Sequence, residues 1–122
     1  MDFADKKVLT TGANRGIGFG LAEGFLKANA DVTIVALEED VTEVADQLSN
    51  TYGRRIRGIV CDIALLGHVN QMQGEVDRVD VLINNAGLEY ATPVTDPSDH
   101  VDEVFRRIIE INVIGTYSVT RL

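Results

Sequence analysis

The chain is poor in cysteine, proline and positive charge. Its 122 residues include one cysteine, Cys61, two prolines and no tryptophan. A lone thiol cannot close an internal disulfide and has no Cys or His companion at metal-ligand spacing, which excludes a disulfide scaffold and points to a reducing compartment, the cytoplasm. Eleven basic side chains against 19 acidic ones leave a formal charge of −8, the wrong sign for a nucleic-acid surface. Arg54, Arg55 and Arg57 form one basic knot with no aromatic residue among them, the pattern of a solvated loop. No apolar run approaches the ~18–20 residues of a membrane helix. The opening Met1-Asp2-Phe3-Ala4-Asp5-Lys6-Lys7 carries acid where a signal peptide carries base. A soluble, unprocessed chain without membrane contact is expected.

About 45% of the residues are apolar, and they recur with period. The length suits one domain over residues 1–122, large enough to bury roughly two-thirds of the surface its unfolded form exposes. Val8-Leu9-Thr10 is a short β-prone run ending at Thr11-Gly12, and beyond Gly16-Ile17-Gly18 the apolar Leu21, Ala22, Phe25 and Leu26 recur at helical spacing. The unit then repeats, with Val32–Ala36 as a second strand and Val41, Val44, Ala45 and Leu48 as the stripe of an amphipathic helix. Ile56–Cys61 is predicted as a third strand, Leu65–Val76 as a weaker helix interrupted by Gly67 and Gly74, and Val79–Asn84 as a fourth strand. A polar loop carries Pro93 and Pro97. Asp96 or Ser98 can then cap a last helix through Val101, Val104, Phe105, Ile108, Ile109, Ile111 and Asn112. Strands apolar on both faces, alternating with helices, imply an α/β fold with a doubly wound parallel sheet, Rossmann-like, of about four strands.

The sharpest chemical feature is Thr11-Gly12-Ala13-Asn14-Arg15-Gly16-Ile17-Gly18, where a strand hands over to a helix. Glycines there let the backbone turn tightly and approach a pyrophosphate, while the free N–H groups and positive dipole end of the helix stabilise that anion. The spacing, three residues and then one between the glycines, resembles the short-chain dehydrogenase/reductase family. Cys61-Asp62-Ile63 is similar to the family's acidic residue at the adenine amino group. Asn84-Asn85-Ala86-Gly87 resembles its NNAG signature at the end of the fourth strand, and Ile111-Asn112-Val113 with Gly115 resembles the helix segment whose asparagine joins the catalytic tetrad. The resemblance implies a nicotinamide dinucleotide held by Gly12, Asn14, Arg15, Gly16, Ile17, Gly18, Asp62, Ile63, Asn85, Ala86 and Gly87, with Asn112 in the catalytic set.

The resemblance also implies what is missing. Family members are roughly twice this long, two βαβαβ halves in one sheet, so the chain is expected to be truncated to the first half. The family's serine, tyrosine and lysine would lie beyond Leu122. The chain's lysines are Lys6, Lys7 and Lys27, so none of Tyr52, Tyr90 or Tyr117 has a lysine four residues on. Tyr117 has Arg121 there, too soon after Asn112 for the family's site and with a planar fork instead of a compact ammonium. It is expected to be a helix-end surface pair.

An acid at the end of the second strand selects NAD over NADP, and that position falls on Ala36, followed by Leu37. Glu38, Glu39 and Asp40 come close behind, whereas Arg15 matches a base of NADP-preferring members, so the expectation leans to NADP over NAD. His68 and His100 have no companion at metal spacing and are expected to be solvated, in a helix and a loop. Cys61 is expected to be a small core residue, and Asp80 a structural acceptor for nearby backbone.

A fourth strand without a fifth leaves an open apolar edge, and the last helix would expose Val104, Phe105, Ile108, Ile109 and Ile111. A homodimer or higher oligomer through the fourth strand and last helix follows. Three functions remain open: the cofactor-binding half of an oxidoreductase completed by a second chain or missing segment, a binding protein without redox activity, and a non-redox catalyst of isomerase or cyclase type in a pocket at an oligomer interface.

Overall fold

A computed structural model describes residues 1–121. Four strands, β1 (Lys7–Thr11), β2 (Asp31–Ala36), β3 (Arg57–Val60) and β4 (Val81–Ile83), alternate with α1 (Gly16–Lys27), α2 (Val41–Tyr52) and α3 (Leu66–Glu75). After a long loop come α4 (Asp99–Ile109), a π-helical turn at Glu110–Gly115 and α5 (Thr116–Thr120). All the strand pairings are parallel, in the order β3-β2-β1-β4.

Strand side chains alternate between faces, so a strand apolar at successive positions needs cover on both. On one face Val8, Val32 and Ile34 pack with Ala22 and Leu26 of α1 and with Val41, Ala45 and Leu48 of α2. On the other, Leu9, Val35 and Ile59 pack with Val69 and Met72 of α3 and with Ile111 and Val119 from the C-terminal helical segment. Each such fully buried Val, Leu, Ile or Met side chain contributes roughly 1.5–3 kcal/mol. The expected doubly wound α/β arrangement is what these faces build.

Chain order runs outward from β1 to β2 and β3, then returns to the far side of β1 for β4. Such a reversal opens a crevice beyond the carboxyl ends of β1 and β4. The loops leaving β1 and β4 therefore meet there. Asp80 fastens the opposite ends of the same strands. Its backbone N–H donates to the Lys7 carbonyl at 2.8 Å, and its carboxylate accepts from the Lys7 N–H at 2.8 Å and from Arg78 at 3.0 Å. This is the backbone acceptor expected of Asp80.

Several expectations need correction. The last helix is not continuous through Asn112, because its hydrogen bonding widens to a π turn from Glu110. Ser98 rather than Asp96 caps α4, its hydroxyl accepting from the Val101 N–H at 3.4 Å, while the Asp96 carboxylate accepts from the Ser98 N–H at 2.9 Å. His100 lies within α4 and not in a loop. The basic knot is not merely solvated. Arg54 donates to the Leu26 carbonyl near the end of α1, and Arg57 to the Glu75 carbonyl at the end of α3. Both cations sit at helix C-termini, where the negative end of the helix dipole favours positive charge.

β4 pairs with β1 alone, leaving its other edge open among the described residues. α4 has no fully buried residue; Phe105 and Ile109 are exposed, and Val113, Ile114 and Tyr117 continue the apolar surface. No helix of the described residues is long and apolar enough to cross a membrane.

The Lys7 N–H, followed by Arg78, holds the Asp80 carboxyl below the usual carboxylate range. A carboxyl whose folded-state pKa is depressed stabilises the fold above its unfolded value, near 3.9, and loses that contribution as pH falls through the folded one. Asp80→Asn is therefore expected to flatten the acid limb of stability below about pH 4, checked by urea midpoints between pH 7 and pH 3. An unchanged acid limb would contradict the assignment.

Candidate functional site

The loops from β1 and β4 are clamped together. The Asn85 side-chain amide donates to the Thr11 carbonyl at 3.2 Å and to the Gly12 carbonyl at 3.0 Å. The Thr11 hydroxyl accepts from the Asn85 N–H at 3.1 Å and the Ala86 N–H at 3.0 Å. Gly12 turns through φ +63°, and a Cβ on it would stand 2.9 Å from the Ala86 Cα. On Gly18 a Cβ would fall 2.2 Å from the Gly12 carbonyl oxygen and 2.4 Å from the Asn85 amide nitrogen. Gly16, at φ +60°, has nothing within 4 Å of its Cβ position. Two of the glycines thus allow loop and helix to close on each other, and the third leaves open space at the helix mouth.

That mouth is electrically bare. α1 starts at Gly16 with no side-chain cap from Arg15 and no acid in its first turn, so its first amides lack the usual partners and carry the positive end of the helix dipole. Ile17 stands exposed beside them. Asn14, buried, turns away toward the end of β2, donating to Glu38 Oε2 at 3.3 Å and Asp40 Oδ1 at 2.9 Å. Arg15 points the same way and pairs with Glu38 Oε1 at 3.2 Å. Ala36 ends β2, so the first carboxylate past the strand is that of Glu38.

Asp62 and Ile63 follow β3. The Asp62 carboxylate accepts from the Ala64 N–H at 3.0 Å and pairs with Arg107 of α4 at 2.8 Å, with its side chain 13% exposed. His68 is exposed in α3 as expected, and its Nδ1 also accepts from the Asp62 backbone N–H at 3.2 Å, beside the site. Ile63 is buried beneath Gly115, where a Cβ would come within 2.6 Å of it. Cys61 is buried as expected, and burial, with the Asp62 charge, pushes its thiol up to about 11. At that value it is an inert packing group.

Asn112 sits in the π turn, and both ends of its side chain are engaged. Its Oδ1 accepts from the Leu88 N–H at 2.8 Å and its Nδ2 donates to the Leu88 carbonyl at 2.8 Å. A Cβ on Gly87 would lie 3.5 Å from that Oδ1. The segment after β4 is therefore stitched to the glycine loop at Asn85 and to the C-terminal helices at Asn112. Asn84 adds a third tie, its amide donating to the Thr120 hydroxyl at 2.9 Å. Arg121 lies 5.4 Å over the Tyr117 ring, the surface pair expected. Among the described residues no group of three or more His, Cys, Asp or Glu could hold a metal ion.

The structure thus brings together Gly12, Gly16, Ile17, Gly18, Asn85, Ala86 and Gly87 at the switch crevice. It places Asn14 and Arg15 on the β2 side, Asp62 and Ile63 beyond β3, and Asn112 beneath Leu88. Sequence reasoning missed Thr11 as the acceptor of the clamp, although it heads the glycine motif. It also missed Arg107 and His68 as partners of Asp62, which no local pattern marks.

Comparison with known proteins agrees with this geometry. The family model for short chain dehydrogenase matches residues 6–122. A peroxisomal 2,4-dienoyl-CoA reductase of Danio rerio is 31% identical, over 98% of this chain and 40% of its own length. A short-chain type dehydrogenase/reductase from Mycobacterium marinum superposes with TM-score 0.84 at 31% identity, over 98% of this chain and 49% of its own. The L-sorbose reductase of Gluconobacter frateurii, solved with NADPH and L-sorbose, gives TM-score 0.82 at 26% identity, over 98% of this chain and 46% of its own. The chain spans about half the length of the relatives it matches. By sequence and by fold, it belongs to the short-chain dehydrogenase family.

Proposed function

We propose that residues 1–122 act as one dinucleotide-binding domain, the cofactor-holding half of an NAD(P)(H)-dependent oxidoreductase. The observation that carries this reading is the uncapped, acid-free start of α1 behind a glycine turn with open space at Gly16. A diphosphate supplies the anion such a mouth stabilises. Gly12, Gly16, Ile17 and Gly18 line it, with Arg15 at its rim and Asn85, Ala86 and Gly87 behind. Asp62 and Ile63 are proposed for the adenine end. NADPH in the sorbose reductase supports a nicotinamide dinucleotide, and Arg15 favours the NADP form.

When bound, the nicotinamide supplies hydride exchange with a carbonyl or alcohol. The chain's own contribution is to bind and orient it. Asn85 holds the turn in shape, and Asn112, tied to Leu88, fixes the π turn from beneath. Serine, tyrosine and lysine for proton transfer must come from a further segment or a second chain, so turnover is expected only with that complement. The open edge of β4 and the exposed Phe105, Ile109, Val113 and Ile114 form the face that such a complement, or a second copy in a homodimer, covers. The buried free thiol suits a reducing compartment such as the cytoplasm.

The chain contains no tryptophan, so NADPH emission can be followed directly. It is expected to change on binding at micromolar concentrations. Ile17→Glu is expected to leave the melting temperature unchanged or raise stability by about 0.3–1 kcal/mol, since an acid suits a helix start, while weakening NADPH binding at least tenfold. Unaltered emission with NADH and NADPH alike, or full binding by the variant, would contradict the reading. Light scattering of the isolated chain at micromolar concentration is expected to show a dimer or larger species, and a stable monomer would contradict the covered face.

A further inference from the structure

The geometry points to Arg107 as a positioning residue that holds the Asp62 carboxylate in place and, through it, links the docking of α4 to the binding of a dinucleotide. This rests on the dinucleotide reading above, with Asp62 at the adenine end. One oxygen of that carboxylate is held locally, Oδ1 accepting from the Ala64 N–H at 3.0 Å. The other, Oδ2, is held from 45 residues away, by Nη2 of Arg107 at 2.8 Å, the length of a charge-assisted hydrogen bond. The Asp62 side chain is 13% exposed, and a carboxylate so enclosed is costly to leave without its cation. Ile63 is held by the same helical segment, beneath Gly115. Both residues that follow β3 therefore depend for their placement on helices that come much later in the chain.

The dependence runs the other way too. Phe105 and Ile109 share the exposed face of α4, and Arg107, midway between them in sequence, is turned to the opposite side, toward the end of β3. α4 has no fully buried residue, and among the described residues its one side-chain hydrogen bond to the sheet layer is the one from Arg107 to Asp62. Nη1 of the same guanidinium lies 3.8 Å from Glu110 Oε2, so the planar fork spans Asp62 and the first residue of the π turn. A helix with so little buried surface opens at low free energy. A ligand that requires Asp62 in place binds the docked arrangement of α4 better than the undocked one, and it stabilises what it binds. Removal of Arg107 breaks that linkage. Arg106 is a built-in control, since it carries the same charge next door but is engaged within α4, on Asp102 at 2.8 Å.

The test combines amide hydrogen exchange over Asp99–Ile109, with and without NADPH, and equilibrium binding of NADPH and of its analogue with hypoxanthine in place of adenine, which puts a carbonyl oxygen where the amino group donates. The native chain, Arg107→Gln and Arg106→Gln are compared. In the native chain NADPH is expected to slow exchange across α4 roughly fivefold or more, and to bind roughly tenfold more tightly than the analogue, the scale of one hydrogen bond to a charged group. Arg107→Gln is expected to lose both the slowing and the preference, and Arg106→Gln to keep both within about twofold. A role for Arg107 in helix stability alone would weaken NADPH and the analogue equally and leave their ratio unmoved, which would overturn the inference. NADPH binding to the native chain with no slowing at α4 would overturn it without recourse to a variant, while sparing the dinucleotide reading. Equal losses in Arg106→Gln would overturn it as well, since any surface charge on α4 would then suffice. Failure of every form to bind either compound would overturn the dinucleotide reading and the inference with it.

Discussion

The structure depends on one clamp, the hydrogen bonds that join the end of β4 to the end of β1. Four bonds at 3.0–3.2 Å link Thr11 and Gly12 to Asn85 and Ala86. A glycine turn alone has too much conformational freedom to hold an anion site open. Here the turn gives its carbonyls to the Asn85 amide and its Thr11 hydroxyl to two backbone N–H groups. Among the described residues no side chain caps the amides of the helix mouth. Polar groups that point inward are satisfied, and those that point outward are available for a ligand. That division is what preorganisation means at a binding site.

The same economy of contact recurs around the crevice. Gly18 against Gly12 and Gly115 against Ile63 are positions where any side chain would collide, so helix and sheet approach more closely than ordinary residues permit. Asn112 closes the far side by taking both hydrogen-bonding groups of Leu88. The consequence is a site framed by backbone, with an ion pair at each of its two ends: Arg15 with Glu38 near β2, Asp62 with Arg107 near β3.

Much of this was legible in the sequence because its signals are local. Val32–Ala36 is short and rich in β-branched residues, which favours a strand buried on both faces, and the glycine motif follows one such run and precedes a helical stripe. The four strands and their helices follow. What could not be read comes from pairings across long separations or from hydrogen-bond geometry. Arg107 and Asp62 lie 45 residues apart, and no periodicity links them. Arg54 and Arg57 look like solvated charge until the ends of α1 and α3 are placed beside them. The π turn interrupts a helical stripe that stays apolar throughout; Ile111, Val113 and Ile114 are β-branched and weak helix formers, but nothing in their order specifies a wider turn.

The central claim is that the first amides of α1 receive an anion. Proton–nitrogen correlation spectra of the labelled chain, recorded with increasing NADP and separately with inorganic pyrophosphate, address it residue by residue. The account predicts the largest shifts at the amides of Gly16, Ile17 and Gly18 with both additions, and smaller ones at Asn85–Gly87. Shifts centred on Arg55 and Arg57 at the opposite end of the sheet, or none with either compound, would contradict it.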